Sequence, residues 1–221
     1  MRFGAGRLMA IEHAQRKTGG TASSPGPTRR ERQKARTRDS LVSAAADLFA
    51  RSGLRDARTE DIARAARVSH GTVFVHFPTK ADLIEETIGR FAHALTGRLD
   101  TLLRQSAGMS EILSAHLAAI GEVEALYRRI LIDLPGQPAA VRAHWVTIQS
   151  AISKYFAIGL AAHPDPASRL DPALTFNTWL ALVHHYLSNR DLFAPEGSVI
   201  ERHGPALAGH FLNLIENREH S

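Results

Sequence analysis

The four residues Ser69–Thr72 carry groups that are suited to contacting DNA. Ser69 and Thr72 have hydroxyl groups that can bond to a phosphate, and the Thr72 methyl group can touch a thymine. Gly71 has no side chain, so its backbone can approach a duplex closely. His70 presents a ring that can bond to a base edge. We therefore expect these residues to contact DNA.

Three residues around this segment are suited to holding phosphate. His76 and Lys80 follow it and can carry positive charge. Thr59 precedes it, at the predicted N-terminus of a helix, and helix N-termini attract anions. We expect all three to contact the DNA backbone.

Two short helices are predicted to position these side chains. Thr59 is predicted to cap the first helix and Ser69 the second, because a hydroxyl before a helical run accepts from the first free N–H groups. Pro78 ends the second helix, since the residue before a proline is pushed out of helical backbone space. Val73 and Phe77 lie four apart and face inward. The result is a helix-turn-helix, whose second helix can enter a major groove.

The string VSHGTVFVHFPTKADL, from Val68 to Leu83, resembles the DNA-binding signature of TetR-family transcriptional regulators. The resemblance extends over Thr37–Ile88. It implies an all-α chain with an N-terminal three-helix DNA-binding domain and a helical domain for effector binding and dimerisation. His70 occupies the variable position of this signature, so the resemblance makes it the expected base-contacting side chain. The resemblance also implies an aromatic DNA contact at Phe74, where the family usually has tyrosine. Phenylalanine keeps the ring but cannot hydrogen-bond to phosphate.

The chain is predicted to divide into a disordered basic tail (1–28), a DNA-binding domain (29–85) and an effector-binding and dimerisation domain (86–221). Residues 1–38 hold ten Lys and Arg against two Glu, a net charge of +8, whereas the rest of the chain carries −3. Basic character is therefore concentrated ahead of the helix-turn-helix. The segment Arg29–Arg38 either contacts phosphate or is a solvated tail, and the sequence leaves both open.

Composition and motifs exclude several other classes of protein. The absence of cysteine excludes disulfides and cysteine-based metal sites and fits a reducing cytoplasm. No apolar run is long enough to cross a membrane, and no signal peptide is evident, so we expect a cytoplasmic protein. The twelve histidines show no metal-binding spacing; His184 and His185, for example, point about 100° apart on a helix. No nucleophile elbow or phosphate loop occurs. We expect no metal, no cofactor and no enzymatic activity.

Apolar residues recur at helical spacing through the rest of the chain. A long helix is predicted from Lys80 to about Arg104, opened by Thr79 with Asp82 three residues on. Further helices are predicted at Ser110–Leu134, Pro138–Ala162, Pro172–Arg190 and Ser198–Asn217.

Aromatic residues of the predicted second domain could line an effector pocket, which TetR-like proteins hold there, although ordinary core is the alternative for each one. These residues are Phe91, Tyr127, Trp145, Phe156, Phe176 and Trp179.

The resemblance also implies a homodimer in which the last two long helices of each chain form a four-helix bundle. The expected apolar face consists of Leu180, Leu187, Leu207, Phe211 and Leu214. Two recognition helices in successive major grooves lie roughly 34–36 Å apart, or a multiple of that, so the operator should be palindromic.

These features together predict a ligand-responsive repressor that binds a palindromic double-stranded operator as a homodimer and answers to an unidentified small molecule. Two alternatives stay open. One is a transcriptional activator or a ligand-independent DNA-binding protein. The other is a helical adaptor or enzyme with an incidental helix-turn-helix, in which only the basic arm would bind DNA.

Overall fold

The computed structural model describes residues 28–104, 108–162 and 171–216, and every regular element within them is helical. This confirms the predicted all-α class. The α-helices in the described ranges are α1 (Arg29–Ser52), α2 (Thr59–Ala65), α3 (His70–His76), α4 (Lys80–Leu103), α5 (Met109–Gly121), α6 (Glu124–Asp133), α7 (Ala139–Ala161), α8 (Pro172–Ser188), α9 (Arg190–Phe193) and α10 (Val199–Glu216). Of the predicted tail, only Thr28 lies within the described residues, where it caps α1. None of these helices is both long and apolar enough to span a bilayer.

The chain forms two compact units. The first contains the residues up to Ala94 together with Ala125–His144, and the second contains Leu95–Glu124 and the residues from Trp145 onwards. This division differs from the predicted boundary at 85/86, because α6 belongs to the same compact unit as the helix-turn-helix. The functional division into domains stays a prediction.

A core of apolar side chains from α1 to α4 holds the first unit together. Leu41, Phe49, Ile62, Phe77 and Leu83 are each at most 1% exposed. Phe91 and Tyr127, on α4 and α6, are fully buried with ring centroids 6.3 Å apart. Burial of a side chain of this size stabilises a fold by about 1.5–3 kcal/mol, so this core fixes the surface on which α2 and α3 lie.

The α1–α2 loop is held by α6 within the same unit. Gly53 has a left-handed φ of 87°, which glycine adopts at no steric cost, and an added Cβ there would lie 2.8 Å from the Asp133 carboxylate. That carboxylate accepts from the Leu54 backbone N–H at 2.6 Å. Arg129 also donates to the carbonyl of Arg51 at 3.2 Å. Gly53 is therefore required both by the turn and by its neighbour on α6.

The predicted single helix Ser110–Leu134 is wrong, since α5 ends at Gly121 and α6 begins at Glu124. The cap also differs, because Gly108 rather than Ser110 precedes α5. Distant partners hold the residues at the break. Glu122 pairs with Arg98 at 2.7 Å, and Glu124 accepts from the backbone N–H groups of Val199 and Ile200 at the start of α10.

Most predicted helix ends are confirmed. Ser69 caps α3, and the Thr79–Asp82 pair closes a reciprocal set of hydrogen bonds ahead of α4. Helix α8 begins at Pro172, as predicted, and Asp171 caps it. Thr59 is a correction: it is the first residue of α2, after Arg58, and no side chain caps that helix. Helix α2 begins without a local cap, so tertiary packing determines where it starts.

Candidate nucleic-acid interface

A tight turn joins α2 to α3 and sets the angle between them. Arg67 in this turn has a φ of 58°, the left-handed region that costs a non-glycine residue roughly 1 kcal/mol. The Val68 N–H donates to the Ala63 carbonyl at 3.0 Å, which closes the turn. Ser69 Oγ then accepts from the Thr72 backbone N–H at 3.2 Å. These bonds fix the first turn of α3 before any DNA arrives.

Helix α3 has one buried and one outward face. Val73 and Phe77 are 1% exposed, which confirms that they belong to the core. On the other side Phe74 is 43% exposed and Val75 is 76% exposed. Two large apolar side chains next to the polar first turn give α3 a surface that can pack against the sugars and methyl groups of a groove.

His70 is oriented by three neighbours. Its Nε2 lies 3.0 Å from Thr59 Oγ1 and 3.4 Å from a Glu60 carboxylate oxygen, and its ring meets Phe74 edge-on with centroids 5.0 Å apart. Because the Glu60 carboxylate can only accept, Nε2 is the donor in this arrangement, and Nδ1 is an acceptor whenever the ring is neutral. In the major groove an acceptor matches the amino group of adenine or cytosine. The Thr59 hydroxyl, expected at a phosphate, is here engaged with this ring.

The presence of glycine at position 71 is not explained by contacts within the chain. Its φ is not left-handed, and an added Cβ would find only Ser69 Oγ, at 4.0 Å. In a helix, glycine is about 0.5–1 kcal/mol less favourable than alanine. Unlike Gly53, then, Gly71 is required neither by its backbone conformation nor by packing within the chain. A close approach by another molecule would account for it.

The predicted phosphate contacts of His76 and Lys80 stay predictions, and the structure gives both residues internal roles. Lys80 Nζ donates to the Arg55 carbonyl at 2.6 Å, and burial lowers the pKa of this ammonium despite the nearby charges of Asp56 and Asp133. Two further protons of Lys80 remain for other acceptors. Burial, followed by the charges of Lys34 and Arg38, lowers the pKa of His76.

Arg38 holds the C-terminal end of α3, a role that the sequence did not indicate. Its guanidinium donates to the His76 carbonyl at 2.9 Å and lies 4.2 Å above the centre of the Phe77 ring. It also pairs with Glu86 on α4, which in turn pairs with Arg90. Burial acts to raise the pKa of Glu86, but its two arginine partners hold that pKa below the usual value. Arg38 is thereby committed to positioning the recognition helix.

Val75 was the other residue missed, although a signal for it existed. It lies midway between the inward-facing Val73 and Phe77, so the helical period alone turns it outward. For Arg38 no local signal existed, because its partner carbonyl lies 38 residues further along the chain.

The comparisons with known proteins agree with this geometry. The family model described as "Bacterial regulatory proteins, tetR family" matches residues 41–87, the segment that spans the second half of α1, all of α2 and α3, and the start of α4. Residues 41–87 therefore carry the DNA-binding segment of the TetR family. This confirms the resemblance that was stated for Thr37–Ile88 from the signature string.

Individual TetR-family relatives match parts or all of the fold. The transcriptional repressor KstR2 of Mycolicibacterium smegmatis is 31% identical over 101 residues, which are 45% of this chain and 49% of that protein. The chain thus spans about half the length of the curated relatives it matches. The fatty acid degradation regulator FadR of Bacillus halodurans superposes with a TM-score of 0.65 at 14% identity, over 90% of this chain and all of that one. FadR of Bacillus subtilis, whose structure contains stearoyl-CoA, superposes with a TM-score of 0.62 at 16% identity, over 82% of this chain and 98% of that one.

The aromatic residues that were predicted to line an effector pocket fall into both compact units. Phe91 and Tyr127 lie in the first unit. In the second, Phe156 contacts Phe176, with centroids 5.3 Å apart, and both Phe156 and Trp179 contact Phe211. Trp145 lies against His184 at 6.0 Å. The structure thus joins Phe176, Phe156, Phe211 and Trp179 into one chain of ring contacts, and their role in ligand binding stays a prediction.

The residues predicted for the dimer face need a correction. Leu180, Leu187, Leu207 and Phe211 are each at most 5% exposed within one chain, so they have almost no surface left for a partner. Leu214 is half exposed, and Leu174 on α8 is 68% exposed. Any interface on these helices must therefore be drawn from their exposed residues. The pairing of the last two long helices across a two-fold axis stays a prediction.

His116 is a buried polar residue of the second unit that the sequence did not single out. Its ring is fully buried, and its Nδ1 accepts from the Trp179 indole N–H at 2.8 Å. Since indole only donates, the ring is neutral with its proton on Nε2. That Nε2 has no hydrogen-bond partner among the described residues. Among the described residues, no group of three or more His, Cys, Asp or Glu side chains is placed so that it could hold a metal ion.

Proposed function

We propose that this chain is a DNA-binding transcriptional regulator that occupies a palindromic operator as a homodimer, most simply as a repressor. One observation carries the proposal: the first turn of α3 presents an oriented His70 beside Gly71, a glycine that neither its backbone conformation nor internal packing requires. Relatives that are named as repressors or regulators support the same role. A cytoplasmic location, where the chain would meet DNA, is part of this proposal.

The dimer is proposed from the outward faces of α8 and α10. Leu174 on α8 and Leu214 on α10 are large exposed apolar side chains, and soluble proteins bury such groups at interfaces when several lie together. Two chains related by a two-fold axis would carry two α3 helices, which is the arrangement that a palindromic operator matches.

An effector site is proposed in the aromatic cluster of the second unit, formed by Phe156, Phe176, Trp179 and Phe211 with His116. The unpartnered Nε2–H of His116 supplies a donor in apolar surroundings, and buried polar groups are normally satisfied. A molecule with an apolar body and an acceptor oxygen fits this combination. FadR of Bacillus subtilis, whose structure contains stearoyl-CoA, shares the fold, which supports a small-molecule site in such proteins.

The test is direct binding to the DNA that flanks the gene, with a scrambled duplex as the comparison, at near-physiological salt. We expect saturable binding to a palindromic site at two chains, or a multiple of two, per duplex. Equal and salt-labile binding to both duplexes would contradict the regulator and favour the adaptor or enzyme alternative.

The variant His70→Ala sharpens this measurement. If His70 reads a base, its loss should weaken operator binding by about 1–3 kcal/mol at one base position while binding to scrambled DNA stays unchanged. Equal weakening on both duplexes would show that His70 contacts only the backbone.

A further inference from the structure

A concave surface lies between the first turns of α1 and the end of α3, and we call it the α1–α3 groove. Its lining residues belong to the first unit, and they are Arg29, Arg30, Gln33, Lys34, Thr37, Val75 and His76. Three of them are cations and none is a carboxylate. Val75, which is 76% exposed, belongs to α3 itself, so the groove adjoins the recognition helix.

The cations of this groove are not neutralised within the described part of the chain. No ion pair there involves Arg29, Arg30 or Lys34, and their side chains are exposed. The nearby Glu31 is occupied at the helix start, where it accepts from the Thr28 N–H at 2.7 Å. Lys34 is close enough to His76 for its charge to disfavour protonation of that ring. The groove therefore presents to solvent three cations that have no ion-pair partner among the described residues.

Arg38, by contrast, does not belong to this set, although it lies in the same basic segment. Its charge is paired with Glu86 and its donors are used on α3. Arg32 and Arg36 are exposed on the same helix but do not line the groove. The structure thus separates the basic residues of α1 into three roles that the sequence could not distinguish.

We propose that the α1–α3 groove binds the phosphate backbone of the operator beside the major groove that α3 enters. This inference rests on the proposed function and adds a second set of DNA contacts, made by α1, to those of α3. Arg30 and Lys34, one helical turn apart, hold phosphate oxygens, and Val75 packs against the adjacent sugars. Contacts of this kind carry no sequence information, so they add affinity for any duplex and fix the register of α3.

The experiment compares two double variants with equal charge and equal spacing on α1. Arg30→Ala with Lys34→Ala removes two groove cations, and Arg32→Ala with Arg36→Ala removes two cations outside it. Binding to operator and scrambled duplexes is measured over a series of salt concentrations. Each lost phosphate contact lowers the slope of log K against log salt by about 0.9, so the groove pair should lower it by about two on both duplexes. The control pair should change it by much less than one.

Two outcomes would overturn the groove contact. An unchanged slope in the groove pair would show that these side chains touch no phosphate. Equal losses in both pairs would show that only the overall charge of α1 matters. Failure of the proposed function would look different, because the unmodified protein would then not distinguish operator from scrambled DNA. Thermal unfolding of all variants, expected to be unchanged, confirms that each one is folded.

Discussion

Two histidines, one in each unit, show how differently the two parts of this protein use polar residues. His70 lies on the outward turn of α3 and is tied loosely to Thr59 and Glu60, with its other nitrogen available. His116 is fully buried and locked to Trp179. The first faces a partner outside the chain, whereas the second lies in the packed core that also forms the proposed effector site. Function in the first unit is therefore separable from stability, whereas in the second the two are coupled.

The largest expected effect is a loss of stability in the second unit, where function and stability are coupled. Trp179→Ala removes a fully buried ring that contacts His116 and Phe211, and it should lower the free energy of unfolding by about 3–5 kcal/mol. Urea denaturation measures this. Leu192→Ala, at a position that is 79% exposed, is the control and should change stability by about 0.5 kcal/mol or less. A small loss for Trp179→Ala would mean that the cluster is not a packed core.

The next effect is a dependence of stability on pH. Burial lowers the pKa of His116 to about 3, with a further contribution from His184, and burial lowers the pKa of His184 to about 4. Both would titrate near 6.5 in the unfolded chain, so between pH 6.5 and 4 the unfolded state takes up protons that the folded state does not. The free energy of unfolding is therefore full above pH 6.5 and falls as the pH is lowered, by up to about 1.4 kcal/mol per pH unit for each group.

The variant His116→Gln measures how much of this pH dependence of stability comes from His116. Glutamine does not titrate, and its carbonyl can still accept from the Trp179 indole. Chemical denaturation at several pH values should show a shallower decline in the variant. An identical pH profile would remove His116 from the explanation.

The smallest expected effect on stability is in the first unit, where DNA binding is separable from stability. Gly71→Ala should leave the fold intact or stabilise it by about 0.5–1 kcal/mol, since the added Cβ meets open space and alanine favours a helix. Operator affinity should nevertheless fall, by roughly tenfold or more (~1.4 kcal/mol), if DNA approaches this backbone. Thermal unfolding and DNA titration of the same sample compare the two. Unaltered DNA affinity would leave Gly71 without a role in the interface.

The sequence by itself determined those features whose partners lie within one helical turn. The cap at Ser69, the end of α3 before Pro78, and the Thr79–Asp82 pair each involve residues at most three apart, so residue type and spacing were sufficient. The same local pattern, read together with the signature string, indicated the family and the outward side chains of α3.

Only the tertiary structure decided the features that join distant segments. The contact of Arg38 with the end of α3, the bond from Leu54 to Asp133, and the capping of α10 by Glu124 connect residues that are 38, 79 and 76 positions apart, respectively. Burial of the residues expected at the dimer face has the same origin. An apolar stripe on a helix shows that one face will be covered, but the packing of the whole chain determines whether its own helices or a second copy cover it.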